Sequence, residues 1–331
     1  MYERVLPKVL RKFGLNYRRV MSAQKGYRNE IWPIELDDGS MVAVTFFKQE
    51  LGIFDRVRRA DMVSQHALQQ GLPIKRRVDL RTLVIRSDDR TIHVALYDYL
   101  PGATIPWEAY TMKHIKLLGM ALGRLHVCLR DVSLVEQLPS VYDEYGEILM
   151  RMRVYFDTTG VISALGEKLR LQIRTDILDH YVQLLNTYRT MQGQSVLHMD
   201  LVRGNVLFDD ATIDSPLRIE GLSISGLLDF EKTAKGHPVV DVARSLAFLL
   251  VDCQTKSSEQ ITHYFIDSGY IKRGEASSVV GGERLWEFVE LFWIYDFYKF
   301  LRHNPYESLL ENHHFICTRN ILLRRNMISY I

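Results

Sequence analysis

In the first hundred residues, apolar and polar positions alternate in short runs divided by turn-forming clusters, the pattern of antiparallel strands. "RVMSAQ" (19–24) and "EIWPIEL" (30–36) flank the turn-rich "KGYRN", and "DDGS" leads into "MVAVTFF" (41–47), as hairpin connections do. The period then changes. Ile53, Val57, Ala60, Val63, Ala67 and Leu68 fall along one side of a helix over 53–70, which Gly71 and Pro73 stop. "RTLVIRS" and "TIHVALYDYL" follow as two more strands joined by the polar "DDR". The predicted order is three strands, a helix and two strands.

At "YLPGATIPW" the pattern changes again. Pro101, Gly102 and Pro106 make a loop, beyond which helical spacing dominates. Ile115, Leu118, Leu122, Leu125 and Leu129 predict a helix within 109–130; Leu165, Leu169, Ile173, Ile177, Leu184 and Tyr188 predict another over 165–190. Only "VLF" (206–208) and "RIEGLSISGLLDF" return to strand character, and after residue 241 the chain reads as helical to its end. The fold class is therefore α+β in two lobes: a small antiparallel-sheet lobe, residues 1–98, and a larger, mainly helical lobe, residues 99–331.

Composition narrows the function. The 331 residues carry a formal net charge of +2 with 47% hydrophobic and 25% charged residues, the profile of a soluble chain with room for two cores. Near-neutral charge gives no reason to expect attraction to nucleic acid or membranes. The short basic clusters Arg56, Arg58, Arg59 and Lys75, Arg76, Arg77 read as solvated faces. Cys128, Cys253 and Cys317 form no C-x-x-C pair, which suits a reducing compartment. "MYERVLPKVLRKFG" has no apolar core of a signal peptide, and "VARSLAFLLV" is too short to span a bilayer. A cytoplasmic protein is expected, with its oligomeric state left open.

The chemistry is concentrated in "VLHMDLVRGNVLF" (196–208). His198, Asp200 and Asn205 fit H-x-D-x-x-x-x-N on a loop entering a strand. A carboxylate and an amide so placed suit phosphoryl transfer, which needs a base near an acceptor hydroxyl and an oxygen ligand for magnesium. Asp229, in "LLDFE", supplies a second hard oxygen donor, and a hairpin from "VLF" to "SGLLDF" would return it beside Asn205. No G-x-S-x-G or H-E-x-x-H motif points to hydrolase chemistry.

Taken together, "LHMDLVRGNVLFDD", "GLLDFEKTAKGHPVVDVAR", "ALYDYLPG" and "LLGMALGRLH" resemble the aminoglycoside phosphotransferase and choline kinase family over most of residues 20–250. The resemblance implies a protein-kinase-like fold and an ATP- and Mg2+-dependent kinase of a small-molecule hydroxyl. Asp200 would then be the catalytic base, His198 a brace for its loop, Asn205 and Asp229 the magnesium ligands, and Asp241 a support for the loop backbone. Asp98 and Leu100 would meet the adenine edge through their backbone, and the turn at Lys25 and Gly26 would cover the phosphates. Glu231 stands where protein kinases have glycine, which favours a small-molecule acceptor. A nucleotide-binding pseudoenzyme and a kinase acting on protein remain alternatives.

The upper lobe departs from that pattern. In "MVAVTFFK", Val42, Ala43, Val44 and Thr45 align with V-A-I-K so that Ala43 and Thr45 face the nucleotide, and Thr45 replaces the expected cation. Asp61 is the nearest helix acid by position. Lys48, about 10 Å further on with opposite parity, or Lys25 is expected to supply the charge. The acceptor is not legible. "LWEFVELFWIYDFYKF" reads first as core, with Asp296 a candidate for a substrate amine.

Overall fold

The computed structural model describes residues 2–25, 29–87, 90–130, 133, 135–210, 215–271 and 283–331. Its N-terminal lobe holds β1 (Tyr17–Val20), β2 (Gln24–Lys25), β3 (Glu30–Leu36), β4 (Met41–Phe46), β5 (Arg77–Ser87) and β6 (Arg90–Asp98). The sheet has the order β1-β3-β4-β6-β5, antiparallel throughout, with β2 paired to β3. The strand expected over 19–24 is thus divided into β1 and β2.

Strand alternation assigns the two faces of β4. Val42, Val44 and Phe46 join one core with Ile85, Ile92 and Val94. Ala43 and Phe47 turn to the other face with Ala95 and Tyr97, where helix α2 (Ile53–Gln69) packs through Ile53 and Val57. The first core is closed by a helix that the strand-rich reading missed, α1 (Tyr2–Phe13). Its residues Val5, Leu6, Val9 and Leu10 recur at one helical stripe and bury against the sheet, and the Tyr2 ring stacks on Phe46 at 4.7 Å.

The second lobe is built on α3 (Met112–Cys128), α4 (Val141–Phe156), α5 (Ile177–Arg189), α6 (Pro238–Asp252), α7 (Glu283–His303) and α8 (His313–Arg324) around one core. Two expectations fail here. Residues 165–190 are not one helix: Arg170 turns left-handed at φ 56°, β7 (Leu171–Ile173) follows, and only then does α5 begin. Nor is the chain helical to its end, because β13 (Ile328–Tyr330) pairs with β7. Periodicity cannot see either change, since each strand is stabilised by the other across the fold.

The aromatic run in α7 is core, as read. Phe288, Phe292 and Phe297 are fully buried. Asp296, however, is taken by Arg244, which reaches it with both guanidinium nitrogens at 2.8 and 3.1 Å in a buried pair. A substrate amine at Asp296 would have to displace that arginine.

The connector between the lobes is pinned to the floor below it. Ala103 and Phe208 exchange backbone hydrogen bonds at 3.0 and 2.9 Å, and Ser225 Oγ donates to Pro101 O at 2.8 Å. Gly102 sits at φ 100°, where a Cβ would lie 2.2 Å from Ser225 Oγ and 2.7 Å from Phe208 O. Only glycine fits this close approach.

Candidate active site

A cleft of about 840 Å³ separates the lobes. Its floor is the loop between β8 (Ser195–Leu197) and β9 (Val206–Asp209). β8 is anchored by pairing with β12 (Ala234–Gly236), Leu197 opposite Ala234. Beyond it the chain turns through Met199, left-handed at φ 62°, a conformation that a non-glycine residue keeps only when its surroundings impose it. They do: the Asp241 carboxylate, fully buried on α6, accepts hydrogen bonds from His198 N at 2.7 Å and Met199 N at 2.9 Å. It also accepts from His126 Nε2 at 3.1 Å, while Nδ1 of His126 and Tyr270 OH share a hydrogen bond at 2.9 Å.

His198 braces the same turn. Its Nδ1 accepts from Asp200 N at 3.2 Å and its Nε2 donates to Leu228 O at 3.2 Å, with the ring edge-on to Phe230. Both bonds fit a neutral ring with its proton on Nε2, and burial lowers His198 from the ordinary histidine range. The loop is thereby tied to the segment that carries Asp229.

Burial works to raise the Asp241 carboxyl, but the hydrogen bond and charge of His126 and the bond from His198 N outweigh it and hold the group below the usual carboxylate range. Such a group stabilises the fold above its unfolded pKa, and that contribution is lost as pH falls through the lower folded value. Asp241→Ala leaves buried N–H groups unpaired and should cost about 3 kcal/mol. In urea unfolding at neutral pH the midpoint should fall, and the variant should lose part of the parent's acid-side slope. An unchanged midpoint would refute the assignment.

Asp200 lies almost buried at the base of the cleft. Lys232 Nζ meets its Oδ1 at 2.7 Å, and Asn205 Nδ2 donates to its backbone O at 2.8 Å and its Oδ2 at 3.2 Å. The carboxylate is therefore fixed by two neighbours. The expected hairpin is present: β9 pairs with β11 (Leu222–Leu227), whose other edge meets β10 (Arg218–Ile219), and Leu228 N donates to Asn205 O at 2.8 Å. Asp229 follows at once, left-handed at φ 59°, a conformation that short polar side chains tolerate. With its amide nitrogen spent on Asp200, Asn205 offers an oxygen, and Asp229 offers a carboxylate that, among the described residues, accepts at 3.3 Å from Glu231 N. This is a hard-oxygen donor set, and it fits a magnesium ion whose remaining positions go to phosphate and water.

Ala43 and Thr45 line the roof, as the parity argument expects. Asp98 and Leu100 line the edge; Asp98 N donates to Arg76 O, and its carboxylate pairs with Arg76. Lys25 belongs to β2, opposite Glu30, and Gly26 lies outside the described residues. Lys48 is not brought into the cleft lining: β4 ends at Phe46, and Lys48 stands exposed beyond it, its backbone N donating to Asn29 Oδ1. Glu231 joins the lobes, accepting from Asn29 Nδ2 at 2.6 Å.

The cluster read as a solvated face is largely not one. Leu227 N donates to Pro73 O at 2.8 Å, and Ile74 bridges in parallel to Leu227, so the α2–β5 connection is stitched into the seam between lobes. Lys75 consequently lines the cleft, its Nζ 4.0 Å from the centre of the Tyr97 ring. Arg77, almost buried, pairs with Asp61 at 3.0 Å, and Tyr97 OH donates to the same carboxylate at 2.7 Å. Burial raises Asp61 above its ordinary value, against the pull of Arg77. Sequence reasoning missed Lys75, Arg77 and Lys232 as site residues. Lys232 carried one available signal, its place three residues after Asp229.

A two-lobed scaffold with a hinge-side cleft, an Asp–Asn loop and a returning aspartate defines the phosphotransferase class. A model of the phosphotransferase enzyme family (APH) matches residues 20–276, and the chain belongs to that family. No curated protein sequence matches it. Among solved structures, an amicoumacin kinase in complex with AMP-PNP and Ca2+ superposes with a TM-score of 0.69 at 14% identity, covering 97% of this chain and 96% of that one. A microcompartment-associated aminopropanol kinase gives 0.63 at 13% identity over 97% and 99%. The GDP complex of an aminoglycoside 2'-phosphotransferase variant gives 0.60 at 14% over 96% and 97%. These likenesses show the fold to be that of small-molecule kinases. Among the described residues, no helix is long and apolar enough to cross a membrane.

Proposed function

We propose that this chain is a cytoplasmic kinase that transfers the γ-phosphate of ATP to a hydroxyl of a small metabolite or an aminoglycoside-like compound. Residues 1–98 form its nucleotide-binding lobe and 99–331 its catalytic and acceptor-binding lobe. The observation that carries this reading is the convergence of Asp200, Asn205 and Asp229 on one cleft beside the connector. The family assignment supports it, as do relatives captured with AMP-PNP and Ca2+ or with GDP.

Asp200 takes the proton of the acceptor hydroxyl as its oxygen bonds to the γ-phosphorus and the bond to the bridging oxygen of ADP breaks. Lys232 and Asn205 keep that carboxylate aimed. Asn205 and Asp229 hold magnesium, which neutralises phosphate charge when nucleotide is bound. The backbone at Asp98 and Leu100 takes the adenine edge, and Ala43 and Thr45 lie against the nucleotide from above. ATP with magnesium should raise the melting temperature and EDTA should remove the gain. A panel of hydroxylated amines and sugars should then contain acceptors that raise ADP release above the rate with water. Absence of any magnesium-dependent stabilisation by ATP would overturn the reading; binding without turnover in the presence of an otherwise stabilising acceptor would favour a pseudoenzyme.

A further inference from the structure

The described lining of the cleft carries five carboxylates, on Asp61, Asp98, Asp200, Asp229 and Glu231, and two ammonium groups, on Lys75 and Lys232. A triphosphate adds several negative charges to this excess. One magnesium ion held by Asn205 and Asp229 offsets part of it, and Lys232 is committed to Asp200 on the floor. The roof gives no help where a strand cation would stand: Thr45 is buried, and its hydroxyl has no hydrogen-bond partner among the described residues.

Lys75 enters from the back wall. Ile74 is in register with Leu227, so Lys75 runs alongside Leu228 and toward Asp229, the residue that would hold the metal. Burial lowers the Lys75 ammonium from the ordinary lysine range, and the nearby charges of Asp229, Asp61 and Glu231 oppose that shift. Its ammonium lies over the Tyr97 ring, and Tyr97 is opposite Ala43 in the sheet, on the face that Thr45 shares. The competing acid on α2 is occupied, since Asp61 accepts from Arg77 and Tyr97. Within the kinase reading, we infer that Lys75, delivered by the α2–β5 connection and not by a strand of the roof, is the cation that binds the nucleotide phosphates.

The alternative is that Lys75 only balances the carboxylates and so holds the fold. The two roles separate by ligand. A phosphate-binding lysine contributes to ADP and ATP and not to adenosine; a structural one affects all three alike. In calorimetric titrations with magnesium, Lys75→Met, which keeps the stem over Tyr97, should weaken ADP and ATP by about 10-fold or more, the size of a lost charge-assisted hydrogen bond, and leave adenosine within about twofold. Lys75→Arg should recover most of the loss. If Lys75→Met does not fold, Lys75→Gln is read in the same way. Equal weakening of all three ligands, or ADP affinity that falls in Lys48→Ala and not in Lys75→Met, would overturn the assignment. A parent that binds ADP beside a Lys75→Met that binds it equally well refutes the lysine alone. A parent that binds no nucleotide with magnesium refutes the kinase reading with it.

Discussion

Asp200→Asn should lower turnover by about 100- to 10,000-fold, the usual contribution of a positioned base, with ADP affinity and melting temperature close to those of the parent. The substitution removes basicity and little else. An asparagine is the same size, its amide oxygen can still accept from Lys232, and the shortest bond from Asn205 goes to the Asp200 backbone, which the substitution leaves in place. The turn itself is held by Asp241 and His198, through backbone groups. A change in rate without a change in binding is therefore the signature of lost proton transfer. Initial rates with a responsive acceptor, set beside an ADP titration, measure both. Near-parental rates would remove Asp200 from the role of base.

Much of the floor was legible because its parts are close in sequence. His198, Asp200 and Asn205 share one loop, and a single hairpin brings Asp229 back to them; chain order and strand alternation suffice to place all four. The parity of β4 likewise put Ala43 and Thr45 on the cleft face. The back wall was not legible. Lys75 reads like any other member of a basic cluster until Ile74 is paired with Leu227 in the other lobe, and no local rule announces that pairing. The same holds for β7 and β13, and for Arg244 closing on Asp296. α1 was missed for a different reason: its stripe of Val5, Leu6, Val9 and Leu10 is readable, but the segment was weighed only as a targeting sequence. Side chains that meet across the fold are invisible to periodicity, and in this protein they include the cations of the cleft.

Asp229→Ala should abolish the magnesium dependence of nucleotide binding, with affinity for ATP falling by about 100-fold or more, because a bound metal ion supplies several kcal/mol of charge stabilisation to phosphates. In the parent, titration with magnesium should give far tighter binding than titration with EDTA; in the variant the two curves should coincide. Asn205→Ala should move in the same direction by less, since a neutral amide oxygen contributes less to a hard cation than a carboxylate does. Backbone conformation complicates the alanine. Asp229 sits at φ 59°, where a residue lacking a short polar side chain costs roughly 1–2 kcal/mol, so Asp229→Ala carries a stability penalty unrelated to metal. Asp229→Asn separates the two effects: asparagine tolerates the left-handed turn and keeps one oxygen, but loses the charge. It should melt near the parent and still lose most of the magnesium dependence. If Asp229→Asn retains the full parental response to magnesium, the ion is held elsewhere and the donor set of Asn205 and Asp229 is wrong.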